Sequence, residues 1–422
     1  MNPERPLGQA SSERSEGPSE TAILTIDLGA LAANYRRVRD LASPAECAAV
    51  VKADAYGLGM AKAAPALAQA GCRTFFVATL GEATALRALL PQAIIYVFSG
   101  LMPGTAELYR AGELRPVLNS ADEIREWASF CAGRGEQLPC AVHIDTGMNR
   151  LGLSADEVDQ VANMRDLWQA VTLSLVMSHL ACADEPNHPK SDTQRKIFDR
   201  LRARLPRAPA SFANSAGIML GPDFAYDLVR PGIALYGGHP RRHGQNPFRP
   251  VVHLKGRVLQ VRRVGPGETI GYGATRTVTR PARIAVVSVG YADGFFRSLS
   301  AEDGKDGLAA YFGSHAAPIL GRVSMDLITI DVSAVPEEIS GRGAWVELIG
   351  PNVPAHTVAA RAGTIDYEVL TNLGRRVAGL GDLLPLVEPD VLQHRDVAVG
   401  EAVDHRPGAL AHRVGREGDL TP

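Results

Sequence analysis

Between residues 48 and 233 the sequence alternates short apolar, β-branched runs with longer amphipathic stretches. The strand-like runs fall at 48–52, 74–78, 93–98, 115–118, 141–145, 172–179, 210–214 and 228–233. The helix-like stretches between them include 81–90, 121–132, 155–164 and 193–205. Continuous apolar runs of this length suit strands covered on both faces, as in a parallel sheet. Eight units, spaced by roughly 25–30 residues, predict an α/β architecture with an N-terminal (β/α)8 TIM-type barrel. A doubly wound open sheet also alternates. It rarely needs eight repeats, and no Gly-x-Gly-x-x-Gly fingerprint follows the first run.

After Pro250 the texture changes. Short β-branched runs at 251–264, 275–279, 283–289, 328–332 and 345–349 are separated by turns such as Gly265-Pro266-Gly267 and Gly350-Pro351. That punctuation predicts a C-terminal mostly-β domain. The expected division is a disordered leader over 1–20, a barrel over 21–245, a β domain over 246–390 and a flexible tail over 391–422. The boundary falls in the linker-like His239-Pro240-Arg241-Arg242-His243-Gly244. Before the barrel pattern a short strand is expected at 22–26, followed by a helix to residue 41 with Asp27 as its N-cap. Further short helices are expected at 357–362 and 367–373.

A chain of 422 residues with 45% hydrophobic content can bury the cores of two such domains. The formal net charge of −2, with both signs interspersed, leaves no basic footprint for nucleic acid and no polybasic stretch for a membrane surface. No window is apolar for 18 residues, so no membrane-spanning helix is expected. The five cysteines, Cys47, Cys72, Cys131, Cys140 and Cys182, form no Cys-x-x-Cys pair. Reduced thiols in a cytoplasm account for them, and no metal site is suggested.

In a barrel the chemistry sits where strands end. The first run ends at Lys52, the fifth at Asp145 to Arg150, the sixth at His179, the seventh at Asn214-Ser215-Ala216-Gly217 and the eighth at Arg230-Pro231-Gly232-Ile233. A lysine at the end of a buried strand has two readings. Either the strand reaches water there, or the amine is desolvated and serves as an imine-forming nucleophile. Barrels commonly bind phosphate after strands seven and eight. Ser215 offers a hydroxyl there, and Gly217 and Gly232 allow backbone N–H groups close approach to an anion. Tyr56 would reach the same anion if residues 52–56 make one helical turn. A lysine facing a phosphate site is what pyridoxal phosphate requires.

Six segments together carry a family resemblance. They are Ala-Val-Val-Lys52-Ala-Asp-Ala-Tyr56-Gly, Asp145-Thr-Gly-Met-Asn-Arg150, Arg230-Pro-Gly-Ile-Ala-Leu-Tyr-Gly, Gly271-Tyr272-Gly, Gly290-Tyr291-Ala-Asp-Gly and Gly321-Arg-Val-Ser-Met325-Asp326. In this order, from about residue 22 to 388, they resemble the alanine racemases. The resemblance implies that Lys52 carries pyridoxal 5'-phosphate and acts as one base. Tyr272, from a partner subunit of a homodimer, is the other. It implies that Tyr56, Ser215, Gly232, Ile233 and Tyr367 hold the phosphate, beside Asn214. Arg230 faces the pyridine nitrogen, His179 sits beside Arg230 and Tyr272, and Arg150 with the backbone at Met325 receives the carboxylate of an amino-acid substrate. Tyr291 and Asp326 play supporting parts. The expected reaction is interconversion of L- and D-alanine for peptidoglycan. A broader racemase and a barrel-type decarboxylase are the alternatives.

Racemisation lifts a proton from one face of a planar carbon and returns it to the other, so two opposed bases are expected. A phenol titrating near ~10 needs cations or donors to act as one. Arg230 can only donate to the pyridine nitrogen, which makes the ring a weaker electron sink. Taken singly, Arg150 reads as a solvated loop cation, Tyr272 as a strand aromatic and Met325 as core filler; the ordered set gives them function. Where many relatives carry a carbamylated lysine that braces the active-site arginine, this chain has His143. An anion, a water or a neighbouring carboxylate is expected to brace Arg150 instead.

Overall fold

The computed structural model describes residues 20–373 and the backbone of the strand Ala378–Asp382. The leader, but for Glu20, and the tail expected over 391–422 lie outside the described residues. Eight parallel strand segments close a barrel. The first is split into Glu46–Cys47 and Ala49–Val50. Its first half pairs with Leu228–Arg230 and its second half with Thr74–Val77, which closes the ring. Between them run Ile94–Val97, Arg115–Leu118, Pro139–His143, Thr172–Met177 and Ala210–Asn214. Thr74–Val77 is buried at every position, as its unbroken apolar run requires. On neighbouring barrel strands the rings of Phe76 and Tyr96 stack, and Arg115 donates to the Tyr96 hydroxyl at 3.0 Å.

The strand Ala22–Ile26 lies in the segment that the sequence assigns to the barrel, yet it pairs elsewhere. It runs antiparallel to Val252–Val264 in the second sheet. Its alternating burial is the reason: one wet face suits an antiparallel sheet and is wasted in a barrel wall. In that second sheet Val252–Val264 also pairs with Trp345–Ile349 and Ala282–Val287, and the latter continues through Ile328–Asp331 to His315–Leu320 and Ala309–Phe312.

Two polar ties fix the site's framework. Asn34, on the helix Leu28–Ala42, donates to the carbonyls of Leu235 and Arg249 and accepts from Arg249 N. Asp366 Oδ2 accepts from His239 N at 2.6 Å, joining the helix Asp366–Asn372 to the segment beyond the last barrel strand. Asp27 caps its helix as expected, accepting from Ala30 N at 2.8 Å. Among the described residues no helix is long and apolar enough to cross a membrane, and all five cysteines are free thiols.

Candidate active site

Lys52 stands two residues beyond its strand and opens a turn of unusual hand. Ala53, Asp54, Ala55 and Tyr56 have φ of +53°, +53°, +54° and +60°, a left-handed helical turn built without glycine. The expected single turn is therefore present, with its chirality reversed. Each such residue costs about 1–2 kcal/mol against the right-handed form, so the surroundings must impose it. Gly57 N donates to Ala53 O at 2.7 Å and Gly59 N to Asp54 O at 2.9 Å. The Asp54 side chain takes Met60 N at 2.7 Å. Gly57 is obligatory, since a Cβ there would stand 2.9 Å from Leu370 O on the neighbouring helix.

The reversed turn aims Tyr56 back across the mouth. Its ring lies 4.6 Å from that of Tyr236 and 5.9 Å from that of Tyr367. A Cβ on Gly232 would come within 2.0 Å of its hydroxyl, so the phenol tip rests on the Gly232 backbone. Ser215 Oγ accepts from Gly232 N at 2.9 Å and Ala234 N at 3.2 Å. Asn214 precedes Ser215 at the end of the strand Ala210–Asn214. Its Oδ1 caps the short helix Ser215–Ile218 by accepting from Gly217 N at 2.9 Å. Ile233 is fully buried behind the loop. Burial raises the Tyr56 phenol well above its usual range and pushes Tyr367 up to about 12. Both remain protonated and can donate to an anion.

Around this cradle the charge is positive. Arg230 is 2% exposed, and burial pushes its pKa down to about 9, so it stays cationic at neutral pH. It forms no ion pair among the described residues. Nη1 donates to Ser211 Oγ and Nη2 to the Ser178 carbonyl, while Nε is buried without a partner. Arg150 is exposed on the loop after Pro139–His143, and it too has no ion pair among the described residues. That loop is shaped by Asp145, whose carboxylate accepts from the backbone N–H groups of Gly147, Met148 and Asn149 at 2.8–2.9 Å. Burial, then Arg150, lowers the Lys52 amine, with Glu82 pulling the other way. Burial, then Arg230, holds His179 well below its usual value. Both act the same way on His143, which falls to about 4.

His143 ends its strand, and its Nδ1 lies 2.9 Å from Asn119 Oδ1. The Asn119 amide spends its N–H groups on the carbonyls of Phe98 and Val117, so its oxygen must accept and His143 Nδ1 must donate. Asn119 was not foreseen; nothing in its sequence context marks it. Asp145 lies two residues past His143, beyond the end of the strand Pro139–His143.

The remaining predicted residues gather elsewhere. Tyr272 lies at the tip of a separate two-stranded hairpin, Thr269–Ile270 with Arg276–Thr277, while Tyr291 and Met325 lie on loops of the second sheet; they are exposed by 71%, 43% and 53%. Tyr291 N donates to Ser324 O, and Ala292 N to Met325 O, at 3.0 Å each. Gly290 permits this approach, because a Cβ there would meet Met325 O at 2.2 Å. The Tyr272 loop rests on Arg322. Asp326 closes the same segment. Among the described residues the Tyr272 hydroxyl has no hydrogen bond to a barrel residue. The described residues thus form two separate groupings: a cationic barrel mouth and an exposed phenol patch.

A closed parallel barrel with a desolvated lysine beyond its first strand and a cluster of hydroxyls and backbone N–H groups beyond its last two, followed by an antiparallel domain, has the build of a barrel-type enzyme for an anion-tethered carbonyl cofactor. Comparison with known proteins agrees. Residues 26–240 match the family model "Alanine racemase, N-terminal domain", and residues 251–380 match "Alanine racemase, C-terminal domain". The alanine racemase of Methylobacterium sp. (strain 4-46) is 52% identical over 84% of this chain and 96% of its own length. That of Methylobacterium nodulans is 51% identical over 85% and 95%. Among solved structures, alanine racemase from Bartonella henselae with covalently bound pyridoxal phosphate is 42% identical, with a TM-score of 0.80 over 84% of this chain and 98% of its own. The chain belongs to the alanine racemase family.

Proposed function

We propose that this protein is a pyridoxal-phosphate-dependent racemase that interconverts L-alanine and D-alanine. The grouping of Lys52 with the Tyr56–Ser215–Gly232 cradle is the observation that carries the reading. The residues fit the cofactor. Surplus guanidinium charge suits a phosphate and a substrate carboxylate, and the orphaned Arg230 Nε suits an acceptor on an aromatic ring. Lys52 would hold the coenzyme covalently; Tyr56, Tyr367, Ser215 and the Gly232–Ile233 backbone would hold its phosphate. When bound, pyridoxal phosphate supplies the electron sink that acidifies the substrate's α-proton.

The chain's own groups do the rest. Burial favours the neutral form of the Lys52 amine, which can then take or return a proton on one face. The partner subunit's Tyr272 serves the opposite face, since within one chain it lies exposed on the β-domain patch. Arg150, without an ion pair of its own, receives the substrate carboxylate, and Met325 comes to it with Tyr272. Arg230 donates to the ring nitrogen and cannot protonate it, which weakens the sink and disfavours side reactions. His179, held neutral, acts as a hydrogen-bond donor beside these groups rather than as a cation. A homodimer with two shared sites, cytoplasmic location and supply of D-alanine for peptidoglycan complete the proposal.

Incubating the purified protein with L-alanine tests it. D-alanine is expected; carbon dioxide with an amine would point to a decarboxylase, and no product would overturn the reading.

A further inference from the structure

Glu82 stands at the third position of the helix Leu80–Leu89, where it closes a capping box with Thr79. Its carboxylate does more than a cap requires. Oε2 accepts from Ala78 N at 2.8 Å and from Thr79 N at 3.3 Å. Oε1 accepts from Ala53 N at 2.7 Å. One side chain therefore ties the ends of two barrel strands, and the second tie falls on the first residue of the left-handed turn, next to Lys52. The turn runs through four non-glycine residues in a disfavoured region, so it persists only where neighbours over-determine it. Asp54 and the helix Asp366–Asn372 hold its far end. Glu82 is the side chain that holds its near end.

We propose that Glu82 is a positioning residue for Lys52: it clamps the left-handed turn through Ala53 N and presents a negative charge to the lysine amine. The inference rests on the reading of Lys52 as the coenzyme-bearing base. A carboxylate suits the task because its two oxygens serve three N–H donors and carry no hydrogen. An amide has one acceptor oxygen, so it can serve one strand end and must oppose the other with its own N–H groups. The charged groups acting on Lys52 are Arg150, which lowers it, and Glu82, which raises it; His179 in turn feels the Lys52 charge.

The test compares Glu82→Gln, Glu82→Ala and Thr79→Ala in the full chain. Three readouts are taken: pyridoxal phosphate affinity by visible absorbance titration, the low-pH limb of kcat/KM, and Tm. Both Glu82 variants are expected to bind pyridoxal phosphate about tenfold more weakly, the scale of a backbone N–H left without its partner. Their low-pH limb should move to lower pH, because the carboxylate that raises the Lys52 amine is gone. Thr79→Ala breaks the cap without touching Ala53, so it should lower Tm while leaving affinity and the limb as in the wild type. Should Glu82→Ala fail to fold, the isosteric Gln variant carries the comparison. Glu82 variants with wild-type affinity and an unmoved limb overturn the proposal, as does a Thr79→Ala variant that matches them in every readout. A wild-type chain that binds no pyridoxal phosphate would sink the functional reading itself, a separate result.

Discussion

Arg230 Nη2 donates at 2.6 Å to the carbonyl oxygen of Ser178, which follows the strand two places along the barrel wall from its own. With Nη1 on Ser211 Oγ, the protein grips the guanidinium by its two outer nitrogens and leaves Nε unpaired. A lysine cannot reproduce that fork. Arg230→Lys should lower kcat/KM for alanine by about 10- to 100-fold, the scale of one or two charged hydrogen bonds. It should also lower Tm, because the Ser178 carbonyl loses a buried donor. Wild-type kcat/KM in that variant would remove Arg230 from its proposed role.

Gly232 has a backbone that any residue can adopt, so its constraint is space. Gly232→Ala would drive a methyl into the Tyr56 hydroxyl, which buried surroundings prevent from retreating. Pyridoxal phosphate affinity should fall by about tenfold or more, on the scale of overpacking. Tyr56→Phe removes the clashing oxygen. The double variant should therefore bind better than the product of the two single losses predicts. Strict additivity in the titration would show that the contact is not the cause.

His143 titrates near 4 in the fold, against its usual 6.5, because it is buried beside Arg230. In the unfolded chain it gains a proton near 6.5; in the fold it stays neutral until about pH 4. Its contribution to stability is thus complete above pH 6.5 and is lost as pH falls from there toward 4. The full swing is on the order of 3 kcal/mol at most. His179, shifted in the same direction, adds to it. His143→Asn places an amide N–H where Nδ1 donates to Asn119 and removes the titration. Its Tm should fall less than that of the wild type between pH 7 and pH 5. Parallel Tm profiles would count against the assignment.

The exposed Tyr272 and the buried Lys52 mouth should complement each other between chains. Lys52→Ala and Tyr272→Ala are each expected to be inactive. Mixed and allowed to exchange subunits, they should recover about a quarter of wild-type activity, since half the dimers are hybrids with one intact site of two. No recovery after proven exchange would place both bases in one chain.

Much of the barrel could be read from the chain. Arg115–Leu118 and Ala210–Asn214 fall where the apolar runs place them, and the other barrel strands differ at their ends. The hairpin of Ala309–Phe312 and His315–Leu320 escaped notice. Its signal was present: Gly313, with φ of +60°, opens a two-residue turn with Ser314, but Pro318 and the alanines obscure the strands around it. The strand Ala22–Ile26 shows a related limit. Alternation reveals that one face is wet, but not which sheet the strand will join.

The residue types at the site were set by the sequence alone: a lysine after a buried run, a serine and glycines after the last two strands, and tyrosines that each follow a glycine, Gly271-Tyr272 and Gly290-Tyr291, in the β region. Local chemistry is enough for that, because each type carries its own donors, acceptors and charge wherever it lies. Tertiary structure decided how these groups meet. The reversed hand of residues 53–56 runs against local preference and exists because Glu82, Asp54 and a neighbouring helix outweigh it. The neutrality of His143, the partnerless Nε of Arg230 and the exposure of Tyr272 arise the same way. Burial and pairing depend on what the rest of the chain brings alongside, and no spacing along the sequence encodes that.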